Sequence, residues 1–273
     1  MKIVLPSGLA GEVRKLQGSE ADVLADEKGA KKGETFDKIL SACWLETSDP
    51  GPYGIAEGVK PAWHKVLVCD RFVALLGIRI ATHGSDYTFK THCQKKEGGC
   101  DHRFEWGIDL EKQLPIFDLP AESRDAIKAG TNRFETVRDG KRVTFKLLTG
   151  EDEWKGGKKL AENKNQLMTV ALGNRILEIE GVHRSGIDGW LKRLGLDEQL
   201  ELLADFEKVD GGVETSLEIE CPECERPFEV SPPFVGADFW LPRKQSRTKS
   251  RDGRTSRTLT SGSPEETTTK TSD

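Results

Sequence analysis

Through the first third of the chain the apolar positions recur at helical spacing. Thr35 opens a segment in which Phe36, Ile39, Leu40 and Cys43 share one face, and Asp49-Pro50-Gly51-Pro52 is a firm stop beyond it. Pro61 suits the first turn of a longer helix. Its buried face is Trp63, Val66, Leu67, Val73, Leu76 and Ile80, and Gly84 ends it. Upstream, Ser19 caps a short helix running to Leu24, with Asp22 in the capping-box position. Residues 163–181 and 197–207 read as two further helices, and Asp197 is a good N-cap for the second.

The period changes at Asp86. Tyr87-Thr88-Phe89-Lys90-Thr91-His92 alternates like a strand and runs into Cys93; a polar turn, Gln94 to Gly99, leads to Cys100. Arg103 to Ile108 then alternates again. Far downstream Leu217-Glu218-Ile219-Glu220 enters Cys221-Pro222-Glu223-Cys224, and Phe228-Glu229-Val230 leaves it. Each half predicts a hairpin whose turn carries two cysteines. Zinc takes four tetrahedral ligands, often all thiolates, and two such halves make a zinc ribbon. The spacing therefore predicts one structural zinc held by Cys93, Cys100, Cys221 and Cys224. The first pair is wider than the usual two-residue spacing, and His92 and His102 flank it as substitutes for one thiolate.

The halves stand 121 positions apart. Closing such a loop costs roughly 5 kcal/mol in chain entropy, whereas a structural zinc supplies about 10–16 kcal/mol in small peptides, so the metal wins. A redox reading of Cys-Pro-Glu-Cys expects a helix after the first cysteine, but Glu225-Arg226-Pro227-Phe228 reads as turn then strand. Unlinked buried thiols are the third reading. Cys43 and Cys69 stand alone on predicted helices, where they serve as small buried hydrophobes.

The fold class expected is α+β, mainly helical, with a small split zinc-ribbon β unit and a disordered C-terminal tail. Residues 1–85 form the helical N-terminal region, and 86–242 the ribbon unit with a helical insertion between its knuckles. Residues 243–273 form the tail, a polar segment with one aliphatic residue, Leu259, which cannot bury enough surface to order itself.

Composition narrows the function. With 273 residues, 36% of them hydrophobic, the chain can build a core without staples. No run approaches the roughly 20 apolar residues of a membrane span, and the opening Met1 to Gly8 lacks the apolar stretch of a signal peptide. A reducing compartment is thus expected, which favours metal over disulfide. The net charge is −5, but from Arg243 onward eight Lys/Arg face four Asp/Glu, leaving about −9 on the remainder. So acidic a body is poor material for binding phosphates, and nucleic acid is expected at most through the basic tail, helped by Lys95, Lys96 and Arg103. There is no Walker loop, Gly-x-Ser-x-Gly, His-Glu-x-x-His or dinucleotide fingerprint. Gly150-Glu151-Asp152-Glu153 is an acidic cluster of the kind that holds a hard cation, but it reads first as a solvated turn, and His64, His83 and His183 are scattered. No catalytic residue is predicted, and zinc with four thiolates leaves no position for a reacting water.

Several segments, in order, resemble the hub-assembly family of T4-like phage baseplate proteins. They are Val143 to Glu153, the helix Asp197 to Phe206, the turn Val209-Asp210-Gly211-Gly212-Val213, the knuckle Glu218 to Cys224, and the ending Phe239-Trp240-Leu241-Pro242. The opening Leu5-Pro6-Ser7-Gly8-Leu9, with Glu20-Ala21 and Leu24-Ala25-Asp26, is similar to longer members from phages and phage-like contractile systems. The resemblance covers roughly residues 1–242. It implies a non-enzymatic structural or assembly protein of a contractile-tail baseplate, with other baseplate subunits as partners. The bacterial cytoplasm during assembly, or the tail particle itself, is the place it implies. Phe234 through Pro242 form an apolar segment suited to docking or to packing back onto the fold. The runner-up reading is a zinc ribbon that binds nucleic acid through the basic tail.

Overall fold

In the computed structural model, residues 1–25, 34–95, 98–163, 165–234 and 236–240 are described. Strands β1 (Lys2–Val4), β2 (Ala10–Val13) and β3 (Trp44–Asp49) form an antiparallel sheet in the order β1-β2-β3. Gly11 of β2 lies so close to the Trp44 indole that a Cβ would fall 2.3 Å from it. This sheet packs on the helix Val68–His83, and Gly77 permits the approach, since a Cβ there would stand 2.5 Å from Ile3 Cδ1. The helix Glu34–Cys43 adds Ile39 and Leu40 to the same core. There the indoles of Trp44 and Trp63 meet edge to face at 5.2 Å.

Strands β4 (Asp86–His92) and β5 (Arg103–Asp109) pair in unbroken antiparallel register and place Tyr87, Phe89 and Ile108 in this first core. After β6 (Ile116–Phe117) and the helix Ala121–Lys128 come β7 (Phe134–Arg138) and β8 (Lys141–Phe145). The helices Gly150–Glu162 and Leu167–Arg175 lead to β9 (Ile176–Ile179), which completes the sheet β7-β8-β9. A second core forms there from Val143, Phe145, Ile176, Trp190, Leu202 and Phe206, with the rings of Phe145 and Phe206 4.5 Å apart. After the helix Leu196–Val209, β10 (Gly212–Val213) pairs with β6, and β11 (Leu217–Glu220) with β12 (Pro227–Val230).

The expected mainly helical character is therefore corrected: among the described residues, twelve strands in small antiparallel sheets accompany the helices, and the fold is mixed α+β. The strands were hidden because most are too short for a period of two to stand out. The helix expected from Pro61 also starts late. Trp63–Lys65 is a single 3-10 turn, and Val66 and Leu67 are extended because Val68 N–H donates to Leu148 O (2.8 Å) and Gly150 N–H to Val66 O (3.0 Å). Likewise the helix expected over 163–181 gives way at Ile176 to β9, whose backbone pairs with β8. Asp197 lies inside the first turn of its helix rather than capping it, and Glu198 accepts from Gly195 N–H instead (3.0 Å). Similarly Glu20, not Asp22, reaches back, accepting from Gln17 N–H at 2.7 Å. Gly84, with φ of 83°, ends the helix Val68–His83 as the sequence suggests.

That central helix buries three charged side chains, each with partners. Asp70 accepts from Ser7 N–H (2.9 Å) and from the Tyr53 hydroxyl, which fixes the Pro6-Ser7-Gly8 turn. Burial pushes the Asp70 carboxyl above its ordinary range despite these donors. Arg71 donates to Trp63 O (2.8 Å) and pairs with Asp37 and Glu153. Arg79 donates to Phe239 O (2.8 Å), Gly84 O (3.0 Å) and Asp86 O (3.3 Å). With Phe234, Phe239 and Trp240 all buried, the C-terminal aromatic segment packs back onto the first core, so those side chains are not free for docking. Cys43 and Cys69 are both buried on helices. The tail 243–273 and the adjoining Leu241 and Pro242 lie outside the described residues. No helix among the described residues is long and apolar enough to cross a membrane.

Candidate metal centre

The two cysteine pairs lie at the tips of the hairpins β4–β5 and β11–β12, and their local backbones match bond for bond. Cys93 N–H donates to His102 O (2.9 Å) and Asp101 N–H returns to Cys93 O (2.9 Å). In the second half Cys221 N–H donates to Arg226 O (2.9 Å) and Glu225 N–H returns to Cys221 O (2.8 Å). The residue after each second cysteine is left-handed, Asp101 at φ 64° and Glu225 at φ 56°. That turn directs successive amides inward. Cys93 sulfur accepts from Cys100 N–H, and Cys221 sulfur from Cys224 N–H and Glu223 N–H.

The longer first turn does not spoil this match. Within it Gly99 N–H donates to Gln94 O and Gly98 N–H to Lys95 O, both at 3.0 Å. Gly98 has φ of 83°, and Gly99 passes so close to the site that a Cβ would stand 2.4 Å from Cys93 Sγ. The Arg226 guanidinium of the opposite half covers Gly98, where a Cβ would meet its Nη1 at 2.3 Å. Phe104 and Phe228 pack edge to face at 6.2 Å between the hairpins.

The four sulfur atoms all lie within 4.8 Å of one another, with Cys100–Cys221 at 3.6 Å and Cys93–Cys224 at 3.8 Å. A tetrahedron with metal–sulfur bonds of about 2.3 Å has edges of about 3.8 Å. The set can therefore hold a metal ion, and its sulfur-only chemistry suits zinc among the common divalent ions. Cys93 and Cys221 are buried, while Cys100 and Cys224 are exposed at the rim. His92 and His102 are not part of this group, and the His102 ring stacks on Phe104 at 5.9 Å.

The sulfurs differ in acidity. Lost solvation pushes the Cys221 thiol up, but the Cys224 and Glu223 amides and the neighbouring thiols outweigh it and bring it to about 7. Cys100 receives the His102 N–H, which favours its thiolate, yet lost solvation and the other three sulfurs push it up to about 12. A cation bound among the four sulfurs would favour loss of their protons.

The acidic run at Glu151 to Glu153 is occupied differently. It is the first turn of the helix Gly150–Glu162, capped by Thr149 and Asp152, with Glu151 paired to Lys155 and Glu153 to Arg71. Sequence reasoning found the four cysteines but missed Gly99 and Arg226; the Gly-Gly step before Cys100 was the available signal for the first. No family model, curated protein or solved structure matches this chain.

Proposed function

We propose that this is a non-enzymatic structural or assembly protein of a phage or phage-like contractile-tail baseplate, held in shape by one structural zinc. The observation carrying the metal part is the four-sulfur cluster, with contacts of 3.6 and 3.8 Å between halves 121 and 131 positions apart. Four thiolates fill zinc's tetrahedral shell, so such an ion serves cohesion rather than chemistry. The contractile-tail setting rests on the resemblance of the ordered segments Leu5 to Leu9, Val143 to Glu153 and Glu218 to Cys224 to the baseplate hub-assembly family. The buried ionic anchors Asp70, Arg71 and Arg79 support the picture of a rigid body offering fixed surfaces to partners.

The test is genetic. Deleting the gene from the phage or injection-system locus that carries it should abolish assembled contractile tails in negative-stain micrographs. A copy with Cys221→Ser and Cys224→Ser should fail to restore them. Tails in normal number and contractile without the gene would remove this reading.

A further inference from the structure

We propose that the four-cysteine cluster is also a site of oxidative modification, where a hydroperoxide replaces the metal with two disulfides, Cys100 to Cys221 and Cys93 to Cys224, that join the same two hairpins. This modification rests on the structural-metal part of the function proposed above and is independent of the contractile-tail setting. Access divides the four sulfurs. Cys100 and Cys224 are exposed, one from each hairpin, while Cys93 and Cys221 are buried. A small oxidant in solvent therefore meets the two rim sulfurs first, since susceptibility follows exposure and thiolate character. Each rim sulfur touches a buried sulfur of the opposite hairpin: Cys221 lies 3.6 Å from Cys100, and Cys93 lies 3.8 Å from Cys224.

The chemistry balances with hydrogen peroxide as the oxidant. The Cys100 thiolate attacks one peroxide oxygen; the O–O bond breaks, an S–O bond forms, and hydroxide leaves. The sulfur has lost two electrons and become a sulfenic acid, and the peroxide has gained them. The Cys221 thiolate then attacks that sulfur, so that the S–S bond forms, the S–O bond breaks and a second hydroxide leaves. Both hydroxides take up protons. Each pair of thiolates thus consumes one peroxide and two protons and yields one disulfide and two waters. Cys224 and Cys93 repeat the sequence with a second peroxide. The first disulfide already removes two of the four metal-binding sulfurs, too few remaining for a structural zinc shell.

The pairing decides the consequence. A disulfide within one turn, Cys221 with Cys224, would leave the two hairpins untied once the metal had gone. The cross pairs close loops of 121 and 131 positions, the same long loop that a metal closes. They restrain the unfolded chain in its place. Oxidation therefore exchanges one staple for another and leaves the fold standing, and a thiol reductant with zinc reverses it.

Titration of hydrogen peroxide into the full zinc-loaded chain tests it, with zinc release followed by a chromophoric chelator and the disulfides mapped by peptide mass spectrometry. Cleavage after Glu97 and Glu223 separates the cysteines of each pair, so the three possible pairings of four cysteines are told apart. Two equivalents of peroxide should release the zinc and link Cys100 to Cys221 and Cys93 to Cys224. The buried Cys43 and Cys69 should remain free to alkylate after denaturation. The oxidised chain should keep the sharp thermal transition that the reduced chain loses on chelation. Pairing within the turns, or Cys100 with Cys224, would overturn the proposal, and so would zinc retained under excess peroxide. The same map is made on reduced chain that has never been given metal. Failure to take up zinc defeats the structural-metal reading by itself, while the pairs formed on oxidation of that sample still decide the cross-hairpin pairing.

Discussion

Replacing Gly99 by alanine adds one methyl group at the tightest point of the candidate metal centre. The new Cβ would stand 2.4 Å from Cys93 Sγ, 2.8 Å from Gln94 O and 3.0 Å from Cys93 C. Two of these neighbours are backbone, and the third is a sulfur that a bound metal would hold in place. In the metal-free chain the Cys93 sulfur can shift away from the new methyl, but the bound state fixes it and must absorb the strain. Overpacking of this kind costs about 1–3 kcal/mol, and each 1.4 kcal/mol is about tenfold in affinity, so zinc should bind roughly 5- to 150-fold more weakly. Competition with a chromophoric chelator measures this directly. Gly157→Ala is the matched control: it lies in the helix Gly150–Glu162, with nothing within 4 Å of its Cβ. It should leave zinc affinity unchanged and stabilise the fold by up to about 1 kcal/mol. A Gly99→Ala protein that binds zinc as tightly as wild type would refute the steric reasoning.

Two further predictions concern the body of the fold. Phe206→Ala removes a completely buried ring that packs on Phe145 and lies under the Arg175 guanidinium at 5.7 Å. It should cost about 3–5 kcal/mol in urea unfolding, and a loss below about 1 kcal/mol would show the second core is not packed this way. Glu20 accepts from Arg14, and from Gln17 N–H and Ser19, which holds its carboxyl at about 2, below its ordinary 4.5. Because the folded-state value is depressed, this stabilisation is present above about 4.5 and is lost as pH falls toward about 2. Glu20→Gln should therefore melt earlier than wild type at neutral pH, by about 2 kcal/mol. The gap should close through that acid window, and a gap independent of pH would contradict the assignment.

The parts of the fold legible in the sequence were those with a strong local signal. Phe36, Ile39, Leu40 and Cys43 mark a helix that forms at Glu34–Cys43. Tyr87 to His92 and Arg103 to Ile108 mark a hairpin that pairs in the register their alternation implies. The four cysteines declared themselves by type and spacing. What stayed hidden depended on distant partners. Val66 and Leu67 fit a helical stripe but are extended because Leu148 and Gly150 pair with their neighbourhood across the fold. Ile176 and Ile179 continue a helical period, yet β8 takes their backbone into a sheet. Glu151 to Glu153 read as a solvated turn because the partners that explain it, Arg71 and Lys146, come from elsewhere in the fold. At the metal centre the wide Cys93–Cys100 spacing obscured a turn that matches its partner half, since matching lies in the left-handed Asp101 and Glu225, which residue type does not announce.

The most direct measurement is the metal content of the purified, reduced protein by mass spectrometry and elemental analysis, beside Cys221→Ser/Cys224→Ser. If Cys93, Cys100, Cys221 and Cys224 hold a structural zinc, wild type should carry one ion per chain and lose cooperative unfolding when a strong chelator removes it. The double variant should carry none and unfold without a sharp transition. Wild-type protein free of metal after reconstitution, with the variant equally stable, would contradict the metal centre and leave four unlinked thiols in its place.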